Sequence, residues 1–238
     1  MSSNIIHFKG IRFYNFSPLY LIKKISKTGG YLVAPAASSL STILDNRYYY
    51  DSIKSSNIAI LDSGFFCILL RLLRKKKIKK LSGFLFLKTF LNTNFTKQKK
   101  ILLINPNHID AKKNLKLLKE SKYKQAFSYV APNYSLNSQI KDKKLINYID
   151  KIKPKYILIN IGGEKQEILA KYIYNYKRNS NLSILCLGAA IAFFTKAQAP
   201  INDLIDKFYL GWLIRFIYNP KLHYKRLYHS LRLIILFY

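Results

Sequence analysis

Acid is what this chain has least of. Against 41 Lys and Arg it carries 11 Asp and Glu, a formal net charge of +30 over 238 residues. Such an excess favours anionic partners, whether phosphorylated substrates, acidic lipid or nucleic acid. Heavy joint use of Lys, Ile, Asn and Tyr is also what an AT-rich genome produces, so part of the charge is solvated surface. Cysteine is nearly missing. Cys67 in "FFCILL" and Cys186 in "SILCLG" lie in apolar runs, which predicts buried thiols and no disulfide framework. His7, His108, His223 and His229 have no zinc-like spacing with either cysteine, so no metal site is expected. Nor does any run approach the roughly 20 apolar residues of a spanning helix. "FFCILLRLLRKKK" and the terminal "LRLIILFY" are short or broken by arginine, and "MSSNIIHFKGIRFYNF" lacks the order of a signal peptide. The expectation is a cytosolic protein.

Familiar sites are missing as well. There is no G-x-G-x-x-G, no G-x-x-x-x-G-K-[ST] and no G-x-S-x-G. No acidic pair of the D-x-D type stands at a strand end to hold a metal-bound diphosphate. Phosphate chemistry here would use the protein's own cations, with neither metal nor cofactor.

What is present is a sequence rich enough in apolar residues, at 50%, to build a core. Short β-type runs recur at 31–34 ("YLVA"), 57–62 ("NIAILD"), 101–105 ("ILLIN"), 126–131 ("AFSYVA"), 156–161 ("YILINI") and 183–188 ("SILCLG"). Between them, Leu145, Ile146, Ile149 and Ile152, and then Ile168, Leu169, Tyr172, Ile173 and Tyr176, repeat at helical spacing. The pattern predicts an α/β fold: a Rossmann-like, mainly parallel sheet with helices on both faces. Ligands of such sheets bind beyond the carboxyl ends of the strands. Three regions are expected: an irregular segment over 1–30, the α/β domain over 31–206, and a short basic helical appendage over 207–238. The appendage holds six Lys and Arg and no acid, and is broken at Asn219-Pro220. The run "RLLRKKKIKK" (71–80) is most simply a solvated helix end or loop.

With so few acids, the search for chemistry is short. Asp110, Glu120, Asp142 and Asp150 fall in or near surface helices, where caps and solvated faces explain them. Asp62, Glu164 and Glu167 instead stand at carboxyl ends of predicted strands. Asp62, in "AILDSGFF", is either the cap of the following helix or a general base beside a ligand. Gly162 and Gly163 allow close backbone approach, and a helix beginning near Lys165 offers partial positive charge to a phosphate. Lys165 would add charge there, and Gln166 and Glu167 would hydrogen-bond a sugar or base. The bland alternative is a glycine turn with exposed charges.

Taken in order, these pieces resemble the WecG/TagA/CpsF glycosyltransferases, family 26. The family's Asp-Gly strand tip resembles "LDSGF" (61–65), its next glycine turn "KLSGFLFLKTF" (80–90), and its G-x-P-K-Q-E signature "GGEKQE" (162–167). A later strand and small-residue turn resemble "CLGAAIAFFT" (186–195). The endgame R-A-P, E-W-x-x-R and x-P-x-x-x-x-R-Y resembles "QAP" (198–200), "GWLIR" (211–215) and "NPKLHYKRLY" (219–228). The resemblance implies an inverting transfer of a sugar from a nucleotide diphosphate to a polyprenyl-diphosphate-linked acceptor, at the cytosolic face of a bacterial membrane. It implies Asp62 as catalytic base, with Ser63 and Gly64 completing the strand tip. It places Gly162, Gly163, Lys165, Gln166 and Glu167 at the donor, and Arg215 and Arg226 at the pyrophosphate.

Departures fall around the donor. Glu164 stands for the signature's proline, Gln198 for the R-A-P arginine and Gly211 for the E-W glutamate. Ser38 or Ser39 would supply the hydroxyl the family has near its first main strand. In the appendage, Tyr224, Tyr228, Leu231 and Ile235 share one helical face, with Lys221, Lys225 and Arg232 on another. That suits an anionic membrane interface, and a packed amphipathic helix is the alternative. Two rival functions stay open: a weakened relative serving as a scaffold in polysaccharide assembly, and a basic nucleic-acid-binding module. No nucleic-acid-binding motif appears, so nucleic acid is not the expected partner.

Overall fold

Apolar runs punctuated by glycine, serine and asparagine become strands, and most of the longer helices between them open on a side-chain cap. The structure, a computed structural model, describes residues 4–178, 180–195, 224 and 228–238. In chain order the elements are β1 (Ile5–Phe8), β2 (Ile11–Tyr14), α1 (Pro18–Thr28), β3 (Gly30–Val33), α2 (Ala37–Ser41), α3 (Arg47–Lys54) and β4 (Ile58–Ile60). Then come α4 (Gly64–Arg74), α5 (Gly83–Asn92), α6 (Asn94–Lys97), β5 (Ile101–Asn105), α7 (His108–Glu120) and β6 (Ala126–Val130). The last are α8 (Lys143–Ile152), β7 (Tyr156–Ile159), α9 (Lys165–Tyr176), β8 (Ser183–Cys186), α10 (Ala190–Phe194) and a C-terminal 3-10 helix (Arg232–Phe237).

The strands form one sheet in the order β1-β2-β4-β3-β8-β7-β5-β6. Only β1 runs antiparallel, to β2; every other recorded pairing is parallel. The expected Rossmann-like sheet with helices on both faces is therefore present. Period two in the strands feeds two cores. Leu102, Ile104, Ile157, Ile159, Tyr31 and Val33 pack on one side, under α3, α4, α8 and α9. Ile101, Leu103, Tyr156, Leu158 and Leu32 pack on the other, under α1, α5 and α10. The segments after β3 and β7 thus lead to the first face, and the segment after β8 to the second. That divergence leaves a crevice at the carboxyl ends of β3, β8 and β7.

One expectation needs correction. The described part of the N-terminal segment, residues 4–30, is not irregular: β1 and β2 form a hairpin whose two-residue loop, Lys9-Gly10, has positive φ at both positions (46° and 76°). This matches the twist of a tight hairpin, and β2 extends the sheet beside β4. α1 follows, capped by Ser17, with Pro18 in its first turn and Gly29 at its end. At the other end, the expected helical C-terminal appendage is present among the described residues as the 3-10 helix, and it packs onto the sheet domain. Leu233 and Phe237 are buried in the first core. The Phe237 ring lies 4.8 Å from Phe8 and 6.0 Å from Phe66, and Arg74 Nη2 donates to the Phe237 carbonyl at 3.2 Å. The expected face Tyr224, Tyr228, Leu231 and Ile235 is exposed, not packed. Asn219-Pro220 lies outside the described residues.

Candidate active site

Ser, Asn or Asp accepts an N-terminal N–H at the start of α1, α3, α4, α5, α7 and α8. Among the longer described helices only α9 has no side-chain cap. Its N-terminus sits at the crevice. Gly162 (φ 95°) and Gly188 (φ 63°), which follow β7 and β8, adopt conformations that favour glycine, and a Cβ on either would meet nothing within 4 Å. The space before both turns is open. Beside it, Ser39 Oγ lies 3.6 Å from where a Cβ on Gly163 would sit, which brings the segment after β3 to the same place.

Between glycines and helix lies a strained residue. Glu164 has φ 66° and ψ −53°, and the Lys165 N–H donates to the Gly163 carbonyl at 2.9 Å. This is the rare positive-φ γ-turn, costly for a residue with a Cβ. Proline, fixed near φ −65°, is unable to adopt it. The departure at this position therefore belongs to a change in the turn itself. Lys165 is held sideways: its Nζ donates to Asn133 Oδ1 at 2.6 Å, on the loop after β6.

Gln166 and Glu167 are not exposed charges; each is only 1% exposed. Gln166 Nε2 donates to Glu167 Oε1 at 2.8 Å, while Gln166 Oε1, Glu167 Oε2 and the Tyr49 hydroxyl are buried with no hydrogen-bond partner among the described residues. Burial pushes the Glu167 carboxyl up to about 7; the Gln166 amide and the N–H groups of Glu167 and Glu164 pull it down, and the Glu164 charge adds to the rise. Glu164 is raised as well, by burial, with the Ser39 hydroxyl acting the other way. Burial, then Glu167 and Glu164, raise the Tyr49 hydroxyl. Sequence reasoning missed Tyr49. The only signal was "NRYYYD", where period alone does not say which tyrosine faces inward.

At the tip of β4 the roles divide differently from expectation. Ser63 accepts the Phe66 N–H at 3.2 Å and so caps α4, which Gly64 begins. Its hydroxyl is committed to that cap, and Asp62 is free of the task. Instead Asp62 Oδ1 accepts the Gly83 N–H, at 2.7 Å, in the first turn of α5. A Cβ on Gly83 would stand 2.6 Å from the Leu187 carbonyl, so α5 is seated against the end of β8. Asp62, α5 and the Gly188 turn are thereby brought together. A half-buried carboxylate held by the Gly83 N–H can still accept a proton. The thiols are poor nucleophiles: burial pushes Cys67 up to about 12, and burial also raises Cys186. Arg215 and Arg226 lie outside the described residues. Among the described residues, no three His, Cys, Asp or Glu gather as a metal site.

The Glycosyl transferase WecG/TagA/CpsF family model matches residues 6–238. The chain belongs to this family. It is a glycosyltransferase of the WecG/TagA/CpsF type, and the match takes in the β1–β2 hairpin and the C-terminal 3-10 helix, which are part of the family's unit. No individual curated protein matches it. Among the described residues, no helix is long and apolar enough to cross a membrane.

Proposed function

We propose that this glycosyltransferase moves a sugar from a nucleotide-diphosphate donor to a polyprenyl-diphosphate-linked acceptor, with inversion, at the cytosolic membrane face in cell-surface polysaccharide synthesis. The observation that supports it most is Asp62: a carboxylate relieved of capping by Ser63 and anchored by the Gly83 N–H, in the first turn of a helix seated against Leu187 at the end of β8. Asp62 takes the proton of the acceptor hydroxyl. The oxygen attacks the anomeric carbon from the side opposite the diphosphate, and the bond to the diphosphate breaks with its electron pair leaving on the phosphate oxygen. Lys165, Arg215 and Arg226 meet the departing charge. Gly162 and Gly163 let donor oxygens approach the uncapped start of α9, with Gln166, Glu167 and Tyr49 beneath. The basic C-terminal segment from about residue 207 brings the two arginines and the membrane together.

Glu164 in place of proline favours a second reading, a weakened relative that serves as a scaffold. One assay separates the two. Purified protein is given a panel of nucleotide sugars and a polyprenyl-diphosphate-sugar in detergent. The expected result is transfer from one donor class; donor and acceptor left unchanged across the panel would leave the scaffold.

A further inference from the structure

α5 carries more aromatic surface than its core side uses. Phe86, Leu87 and Phe90 turn to the sheet and are buried, whereas Phe84, in the first turn, stays half-buried. Its ring stacks on Phe194 at the end of α10, with centroids 4.9 Å apart and planes 17° from parallel. Phe193 meets the same ring edge-on, at 6.2 Å and 79°. Both are geometries that aromatic pairs favour. Phe193 and Phe194 are half-buried as well, and Phe194 rests on the second core. The three rings form a shelf across α5 and α10.

The shelf begins beside the base. Phe84 follows Gly83, whose N–H donates to Asp62 Oδ1 at 2.7 Å. Gly83 in turn abuts the Leu187 carbonyl, just ahead of the Gly188 turn. A Cβ on Gly188 would meet nothing within 4 Å, and residues 188–190 are Gly, Ala and Ala, so the turn leading to the rings carries no bulk. The side of the sheet matters too. α9 packs on the first core, whereas α5 and α10 pack on the second. With the diphosphate at the start of α9, inversion brings the acceptor from the opposite side of the anomeric carbon. That is the side of α5 and α10.

We propose that Phe84, Phe193 and Phe194 form the acceptor subsite, a shelf on which the sugar ring bearing the attacking hydroxyl stacks. The inference rests on the glycosyl transfer proposed above, and adds which residues hold the acceptor and by what chemistry. A pyranose has an apolar face of C–H groups made slightly positive by the neighbouring oxygens, and the face of an aromatic ring is slightly negative. Stacking fixes the plane of the sugar and leaves its rim of hydroxyls free, one of them for Asp62. An isoprenoid chain also packs well on aromatic rings. The shelf starts at the residue next to the one that holds the base, however, and that is where the reacting sugar has to lie, with its diphosphate and lipid farther out.

The test uses the full chain, the donor selected by the panel, and polyprenyl-diphosphate-sugars that carry one sugar on a short or a long polyprenyl chain. Phe84→Leu keeps apolar bulk and removes the ring. It should raise the acceptor KM about fivefold on both chain lengths, and the donor KM should hold. Phe84→Tyr restores a ring and should recover most of that loss. Phe193→Leu leaves the Phe84–Phe194 stack in place, should raise the acceptor KM about threefold, and carries the test if Phe84→Leu does not fold. A rise confined to the long chain makes the shelf a lipid contact. An unchanged acceptor KM in the folded variants makes the stack a packing contact within the fold. Either result overturns the proposal and leaves the transfer reading standing. Wild type that transfers no sugar from any donor overturns both.

Discussion

The tips of β4 and β7 carry much the same letters, an acid with glycine at the entrance to a helix, and they do opposite things. At β4 the acid precedes its helix. Ser63 takes over the cap, and Asp62 stays half-buried with its carboxylate held by a backbone N–H from another helix. At β7 the acid is the third residue inside the helix. Glu167 turns back under the first turn, where burial favours the neutral carboxyl. The difference teaches that position relative to the N-cap, one residue before it or three after, decides whether a carboxylate stays half-buried at the strand tip or is stored in the core.

The largest effect that sharpens this contrast is a dependence on pH. Glu167 has its carboxyl raised by the fold to about 7, so its stabilising contribution is full below the unfolded value near 4.3 and is lost as pH rises toward 7. Glu167→Gln keeps a neutral side chain throughout. It should match wild type near pH 4 and exceed it by about 3 kcal/mol above pH 7 in denaturant unfolding. A pH-independent difference between the two would mean that Glu167 is not buried as a neutral acid.

Gly83 tests the other tip. Gly83→Ala puts a methyl 2.6 Å from the Leu187 carbonyl and should cost about 1–3 kcal/mol. It should also lower turnover, because the N–H that holds Asp62 moves with α5. Unchanged stability would show that α5 is not seated on the end of β8. The strained turn should respond in both directions. Glu164→Gly should raise stability by about 1 kcal/mol by relieving positive φ, whereas Glu164→Pro should lower it by about 3 kcal/mol. Tolerance of proline there would contradict the γ-turn.

Much of this architecture was legible because it rests on local pattern. Runs such as "ILLIN" and "YILI" are short, apolar and bounded by turn residues, which favours buried strands, and Leu145, Ile146, Ile149 and Ile152 do pack on one side of α8. The β1–β2 hairpin was not legible, since Lys9-Gly10 is a less common loop than Asn-Gly and the strands have four residues each. Elimination among few acids left Asp62, Glu164 and Glu167, but the partner of Asp62 was not legible: Gly83 is 21 residues away, and only the packing of α5 on β8 brings it there. The burial of Glu167 was hidden for a similar reason. "KQE" looks like a solvated helix start until Tyr49 and α3 are packed over it. Leu233 and Phe237 were hidden by their basic surroundings, which suggested a surface tail.

The most direct measurement is turnover of Asp62→Asn. An asparagine Oδ1 can still accept the Gly83 N–H, so the substitution removes the base while keeping the anchor. The variant should retain wild-type unfolding behaviour and donor affinity and lose about 10²–10⁴-fold in kcat. Turnover within a factor of a few of wild type would contradict the account, and would leave Asp62 as a residue that only fastens α5 to the tip of β4.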